Sequence, residues 1–153
     1  MWLDQRDSEV LERPECLRLL ALEAREGALG RIGVALVDDR QGEIEAPLVV
    51  PVNFAYSGGK VVVRIGPGLL ADTAPGRLVA FEVDRVEREH GLAWSVLVRG
   101  LASPHAGDDG PAAGETGPTP LVAHPGTLLL TVRPDVVTGR RFALSPSGGG
   151  RAA

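Results

Sequence analysis

The chain has 153 residues, a formal net charge of −4 at pH 7 and one cysteine. This length suits a single domain with a hydrophobic core, and the scattered charges, without a basic block, argue against nucleic acid as a partner. No apolar run reaches the roughly 18 residues of a membrane-spanning helix, and the charged N-terminus lacks the core of a signal peptide. Because one cysteine cannot form an internal disulfide, we expect a cytoplasmic protein. We also expect that it contacts no membrane.

Residues 1–12 are polar and predict an N-terminal arm. Pro14 suits the first turn of a helix, and residues 16–24 repeat apolar side chains at helical spacing, with Cys16 on the apolar face. We expect a buried, inert thiol there. Gly27 and Gly30 end the helix.

Many β-branched residues, with 20 glycines and 12 prolines, favour strands joined by turns. Ser57, Gly58 and Gly59 predict a tight hairpin turn, and a short helix is expected at residues 69–73. The predicted strands cover residues 31–37, 46–55, 60–65, 78–86, 93–103, 127–137 and 141–144. About six strands in hairpin order predict a closed or nearly closed antiparallel barrel.

Residues 104–126 are rich in proline, glycine and small side chains and predict a mobile loop. The tail, residues 145–153, is predicted to be disordered. The domain proper is therefore expected to span residues 13–144.

Several short motifs follow one another in a recognisable order. They are PVNFAY at 51–56, VVVRI at 61–65, Gly-x-Gly at 66–68, FEVD at 81–84, GLAWSVLVRG at 91–100 and TGRR at 138–141. This order resembles the pyridoxamine 5'-phosphate oxidase-like FMN-binding split-barrel family of the actinobacterial type, over residues 13–103 and 127–142. The resemblance implies a mainly β fold, a six-stranded antiparallel split β-barrel of Greek-key type. An N-terminal helix and a short helix after the third strand complete it.

The resemblance also implies a homodimer with two FMN sites at its interface. Arg64 would hold the phosphate, which suits a planar guanidinium carrying two donors. The implied cofactor contacts are backbone groups of Pro51, Val52 and Asn53, then Ile65, Gly68 and Leu69 beside the phosphate, then Trp94, Ser95, Arg140 and Arg141.

Leu69 departs from the family pattern, which usually places a lysine there. A lost charge-assisted hydrogen bond costs about 1.5–3 kcal/mol, or about ten- to a hundredfold in affinity. Three interpretations of this leucine remain open: weaker FMN binding, a deazaflavin coenzyme whose phosphodiester needs fewer cations, or a site without cofactor.

The leading functional hypothesis is an FMN-dependent oxidoreductase acting on an unknown small molecule. The alternatives are a deazaflavin-dependent reductase, and a non-catalytic dimer that binds haem or flavin or has no cofactor. No residues are assigned as catalytic, because the flavin carries the redox chemistry. For Trp94, core or dimer packing is placed ahead of a cofactor contact, and both roles are compatible. Glu82 and Asp84 are interpreted as a solvated strand face, and the three separated histidines give no metal-site spacing.

Overall fold

The computed structural model describes residues 8–38, 43–105 and 128–145. The predicted tail from residue 146 and most of the predicted 104–126 loop lie outside these ranges. The strands are β1 (Ser8–Leu11), β2 (Leu29–Asp38), β3 (Glu43–Ser57), β4 (Lys60–Ile65), β5 (Leu78–Glu87), β6 (Leu92–Pro104), β7 (Leu128–Val132) and β8 (Val136–Ala143). The helices are α1 (Arg13–Arg25) and α2 (Leu69–Thr73), with a 3-10 turn at Arg88–His90. Within these ranges, no helix is long and apolar enough to cross a membrane.

Six strands close into an antiparallel barrel. The sheet order is β1-β8-β6-β5-β2-β3-β4-β7, and β7 pairs back to β6. The predicted mainly β split barrel is confirmed, and β8 and β1 extend it beyond β6 as two extra strands. The short helix α2 follows the third barrel strand, β4, as predicted.

The strand pattern differs from the sequence prediction most clearly in two places. The single strand predicted at 127–137 is two strands, because the chain turns at residues 133–135, where Pro134 has no amide to donate. Part of the predicted polar arm is the strand β1, whose residues pair with β8 from Ser8–Phe142 to Leu11–Gly139.

Strand alternation builds the core. Phe54 and Phe81 are fully buried inside the barrel, and their ring centroids are 4.9 Å apart. Gly30 makes room for Phe81, since a Cβ there would lie 2.2 Å from the Phe81 ring. The β3–β4 hairpin turns through Gly58 and Gly59, both with positive φ, which suits a two-residue turn between twisted strands.

Helix α1 covers the barrel beside β3 and β8. Its face is formed by Cys16, Leu19 and Leu20, and burial raises the pKa of the Cys16 thiol, in line with the predicted inert cysteine. Gly139 allows the close approach, because a Cβ there would lie 2.6 Å from the Cys16 Sγ. The buried Glu23 accepts a hydrogen bond from Arg85 Nη1 at 2.8 Å, so its charge is compensated.

Candidate functional site

Asn53 and Arg64 are direct partners on β3 and β4, and the β3–β4 ladder ends at this pair. Strand β3 continues toward its N-terminal end through Val52 and Pro51, paired with β2. Because the described β3–β4 pairing begins at Asn53, the backbone groups of residues 51–52 that face the β4 side lie beyond that ladder. We call residues 51–53 and 64–69 the β3–β4 fork, because the described pairing of β3 with β4 ends there.

The side chains at the fork divide between core and surface. Val52 and Ile65 point into the core, where both are buried, so they offer a ligand only their backbone groups. Asn53 and Arg64 alternate with them and lie on the outer face, where both are partly exposed. The Arg64 side chain, to which the resemblance assigns the phosphate, is therefore directed outward, and the Asn53 side chain lies on the same face.

The loop after Arg64 is open on its outer side. Gly68 has φ +144°, a conformation that favours glycine, and a Cβ on Gly66 or Gly68 would meet no atom within 4 Å. Leu70 is buried and anchors α2, whereas Leu69 is 55% exposed. An apolar side chain thus stands in solvent at the position where the family pattern has a cation.

The other predicted contacts lie elsewhere on the sheet, with Trp94 and Ser95 on β6 and Arg140 on β8. Trp94 belongs to the hydrophobic core, which supports the packing interpretation for this residue. Ser95 and Arg140 are direct partners on β6 and β8, and Arg140 Nη1 donates to the Ser8 Oγ at 3.2 Å. Arg141, on the opposite strand face, instead binds Glu9 and Glu15, so its side chain is engaged in structural ion pairs.

One chain does not gather all the predicted contacts. Along the sheet, the strands β3, β2 and β5 lie between β4 and β6. The path from β4 to β6 therefore crosses four interstrand spacings, about 19 Å in total. By the other route, β7 pairs with β6 only from Ala102 onward, and Ser95 lies about 23 Å away along that strand. The structure brings together Asn53 with Arg64, and Ser95 with Arg140, as two separate groups.

A cluster of charged residues on β2 and β5 lies between these two groups, and the sequence predicted only its two carboxylates. Glu82 and Asp84 share one face of β5, as predicted, and Arg31 Nη1 reaches Glu82 Oε2 at 3.4 Å and Asp84 Oδ1 at 3.0 Å. Burial raises the pKa of Glu82, and the neighbouring Asp84 adds to the rise. The pairing depends on the register of Arg31 opposite Glu82, which the sequence does not specify.

Comparison with known proteins places the fold in a family. The family model described as pyridoxamine 5'-phosphate oxidase matches residues 12–141. The chain therefore belongs to the pyridoxamine 5'-phosphate oxidase-like split-barrel family, as the sequence motifs predicted.

Individual relatives are distant but cover almost the whole chain. An uncharacterized protein of Mycobacterium tuberculosis is 27% identical over 143 residues, which are 90% of this chain and 87% of that protein. The structure of an FAD binding protein from Mycobacterium smegmatis is 30% identical, with a TM-score of 0.68, and the match covers 90% of this chain and 100% of that one. A Corynebacterium glutamicum structure, provisionally assigned as a pyridoxamine 5'-phosphate oxidase, is 26% identical with a TM-score of 0.69, over 95% and 100% of the two chains.

Proposed function

We propose that the chain binds a flavin nucleotide at the β3–β4 fork and serves, as a homodimer, in oxidoreduction of a small molecule. The observation that carries the proposal is the outward pair Asn53–Arg64 at the point where the β3–β4 ladder ends. Family membership and the FAD-binding relative at 30% identity support it. When bound, the flavin supplies hydride or single-electron transfer.

The donor set at the fork suits the two ends of a flavin nucleotide. Arg64 offers a guanidinium for the phosphate, next to a glycine loop with an open outer side. The backbone edge of residues 51–52 extends past the β3–β4 ladder, and strand backbone groups alternate donors with acceptors. The polar edge of an isoalloxazine ring also alternates N–H and C=O groups, so it complements such an edge.

Leu69 bears on which nucleotide binds. The terminal phosphate of FMN carries close to two negative charges at neutral pH. The diphosphate of FAD carries the same total, one charge on each phosphorus, whereas the single phosphodiester of a deazaflavin coenzyme carries one. FMN remains the first candidate because its phosphate suits the Arg64 guanidinium, and the exposed leucine in place of the cation favours the deazaflavin coenzyme as the alternative. The described residues of the fork offer haem no set of contacts comparable to those proposed for the flavin nucleotide.

The separation of the two residue groups supports the proposed homodimer. If Ser95 and Arg140 contact the same flavin as Arg64, a second copy must supply them, because they lie about 19 Å from β4 around the barrel. We therefore assign the fork to one subunit and the Ser95–Arg140 pair to the other.

Titration of the purified protein with riboflavin, FMN and FAD, followed by flavin fluorescence, tests the proposal. We expect Arg64→Ala to weaken FMN binding about ten- to a hundredfold, since a charged hydrogen bond is lost, and to leave riboflavin affinity unchanged because it has no phosphate. Lys60→Ala, on the same strand but at the hairpin, is the matched control and should change neither. Equal losses for FMN and riboflavin, or no flavin binding at all, would contradict the assignment.

A further inference from the structure

A cluster of charged side chains on the outer face of the sheet takes no part in the core or in the proposed cofactor contacts. It consists of Arg31 on β2 with Glu82 and Asp84 on β5, and we call it the Arg31 cluster. All three side chains point outward, because the alternating neighbours Ile32 and Val83 are completely buried. The motif FEVD supplies both carboxylates, and neither the packing of the barrel nor the fork uses them.

The strand register places the Arg31 cluster beside the β3–β4 fork. Arg31 is the direct partner of Pro51, a residue of the fork, on one side and of Glu82 on the other. Partners in adjacent antiparallel strands have Cβ atoms about 5 Å apart. The backbone groups proposed for the flavin ring therefore lie one strand away from Arg31.

Two carboxylates hold the Arg31 guanidinium in place. Nη1 lies 3.0 Å from Asp84 Oδ1 and 3.4 Å from Glu82 Oε2, so Asp84 is the closer anchor. Its hydrogen bond raises the pKa of Arg31, which keeps the guanidinium charged. Both contacts use the same nitrogen, and within the described ranges Nε and Nη2 meet no acceptor. Since the side chain is 44% exposed, an oriented cation with free donors faces the surface.

Arg31 and Arg64 stand at the two ends of a stretch of surface that suits a flavin nucleotide. Their strands lie on either side of β3, two strand spacings apart, and their partners Pro51 and Asn53 are two residues apart. These offsets of about 10 Å and about 7 Å put the two arginine Cα atoms about 12 Å apart. The ribityl chain of a flavin nucleotide separates phosphate from ring by a comparable length. A phosphate on Arg64 thus allows the ring to lie against Pro51, beside Arg31.

We infer that Arg31, held by Asp84 and Glu82, is the residue whose charge sets the reduction potential of a flavin bound at the fork. The inference rests on the proposed function and adds to it a residue outside the predicted set of contacts. Reduction adds negative charge to a flavin ring, so a nearby cation favours it and a nearby carboxylate opposes it. Arg31 is the charge nearer to the fork, and the two carboxylates are positioning residues one strand farther away.

The size of the effect follows from these separations. A group that contacts Pro51 lies about 10 Å from the Arg31 guanidinium, because the side chain leans away from β3 toward β5. Unit charges at that distance, with the effective dielectric constant of a protein surface, change an equilibrium about tenfold. The carboxylates are one strand spacing farther away and should each act about threefold, in the opposite direction.

Reduction potentials of the FMN-loaded protein, measured at about pH 8 by equilibration with a reference dye, test the inference. At this pH Glu82 is ionised even though burial raises its pKa. Arg31→Gln should lower the affinity for reduced relative to oxidised FMN about tenfold, a fall of about 30 mV for a two-electron couple. Arg31→Lys keeps the charge and should stay within about threefold of the wild type.

Variants of the anchor separate a charge effect from a distortion of the strands. Glu82→Gln removes a negative charge and should raise the potential. The double variant Arg31→Gln/Glu82→Gln should lie between the two single variants, a result that a damaged strand pair would not give. Arg133→Gln is the matched control, because Arg133 is also an exposed arginine paired with a carboxylate, Asp135, but in the turn between β7 and β8. It should leave the potential unchanged.

The outcomes distinguish this inference from the proposed function. Equal potentials in the wild type and Arg31→Gln would overturn the inference while flavin binding stands. Single variants at Arg31 and Glu82 that shift in the same direction, or an Arg31→Lys shift as large as that of Arg31→Gln, would overturn it too. If no form of the protein binds flavin, the proposed function fails and the inference fails with it.

Discussion

Gly100→Ala is expected to be among the most damaging small substitutions in this protein. A Cβ at Gly100 would lie 1.6 Å from the carbonyl oxygen of Arg133 and 2.7 Å from its carbonyl carbon. Carbon contacts are normally about 3.5 Å or longer, so β6 or the turn between β7 and β8 must move by about 2 Å. Both groups are backbone, and Arg133 N is also hydrogen-bonded to Leu101 O at 3.1 Å, so no flexible side chain can absorb the clash.

Overpacking of this kind costs about 3 kcal/mol, at the upper end of the usual range. For a chain of this size, that corresponds to a fall of about 6–12 °C in Tm, measurable by differential scanning calorimetry. Gly33→Ala is the matched control, because Gly33 also lies in a barrel strand, β2, and its Cβ would have only ordinary contacts at 3.7 Å or more. A Gly100→Ala protein that melts within a degree of the Gly33→Ala protein would refute the reasoning.

Three further outcomes are expected. Leu69→Lys should tighten FMN binding about tenfold by adding a cation beside the phosphate, with riboflavin affinity unchanged in the same titration. Arg18 and then Arg141 hold the pKa of Glu15 down to about 2, so this carboxylate contributes stability above pH 4.5 that is lost as the pH falls toward 2. In Glu15→Gln, the midpoint of urea unfolding should therefore fall less steeply with pH in that window. At neutral pH, the variant should lose about 1 kcal/mol of unfolding free energy, as expected for a partly exposed ion pair. Cys16 should react with a thiol reagent only at the rate of unfolding, and rapid labelling of the native protein would show that the helix face is more accessible than the structure indicates.

The barrel was predictable because its strands carry strong local signals. Alternating apolar residues, the Gly58–Gly59 turn and the glycines after Arg64 each specify a local conformation. β1 was missed because Ser8 and Glu9 give no strand signal, and it forms only by pairing with β8. The break at residues 133–135 was missed since the apolar pattern continues into Val136 and Val137.

The site could be predicted only in part. Asn53 and Arg64 follow from the motif and the hairpin, because a two-residue turn fixes which residues face each other. The pairing of Ser95 with Arg140 depends on how β8 aligns with β6, across a segment of more than twenty residues. No local pattern determines that register.

The way the sheet closes also limits how molecules of this protein can aggregate. A strand with an unpaired main-chain edge is a template on which further strands can stack, and long edges of this kind lead to filaments. In the described part of the chain, the outermost strand of the sheet order that is not joined back to the barrel is β1, which is four residues long and carries the charge of Glu9. Addition of a further strand at this edge of the sheet is therefore poorly supported, because β1 offers only four residues and a charged side chain as a template.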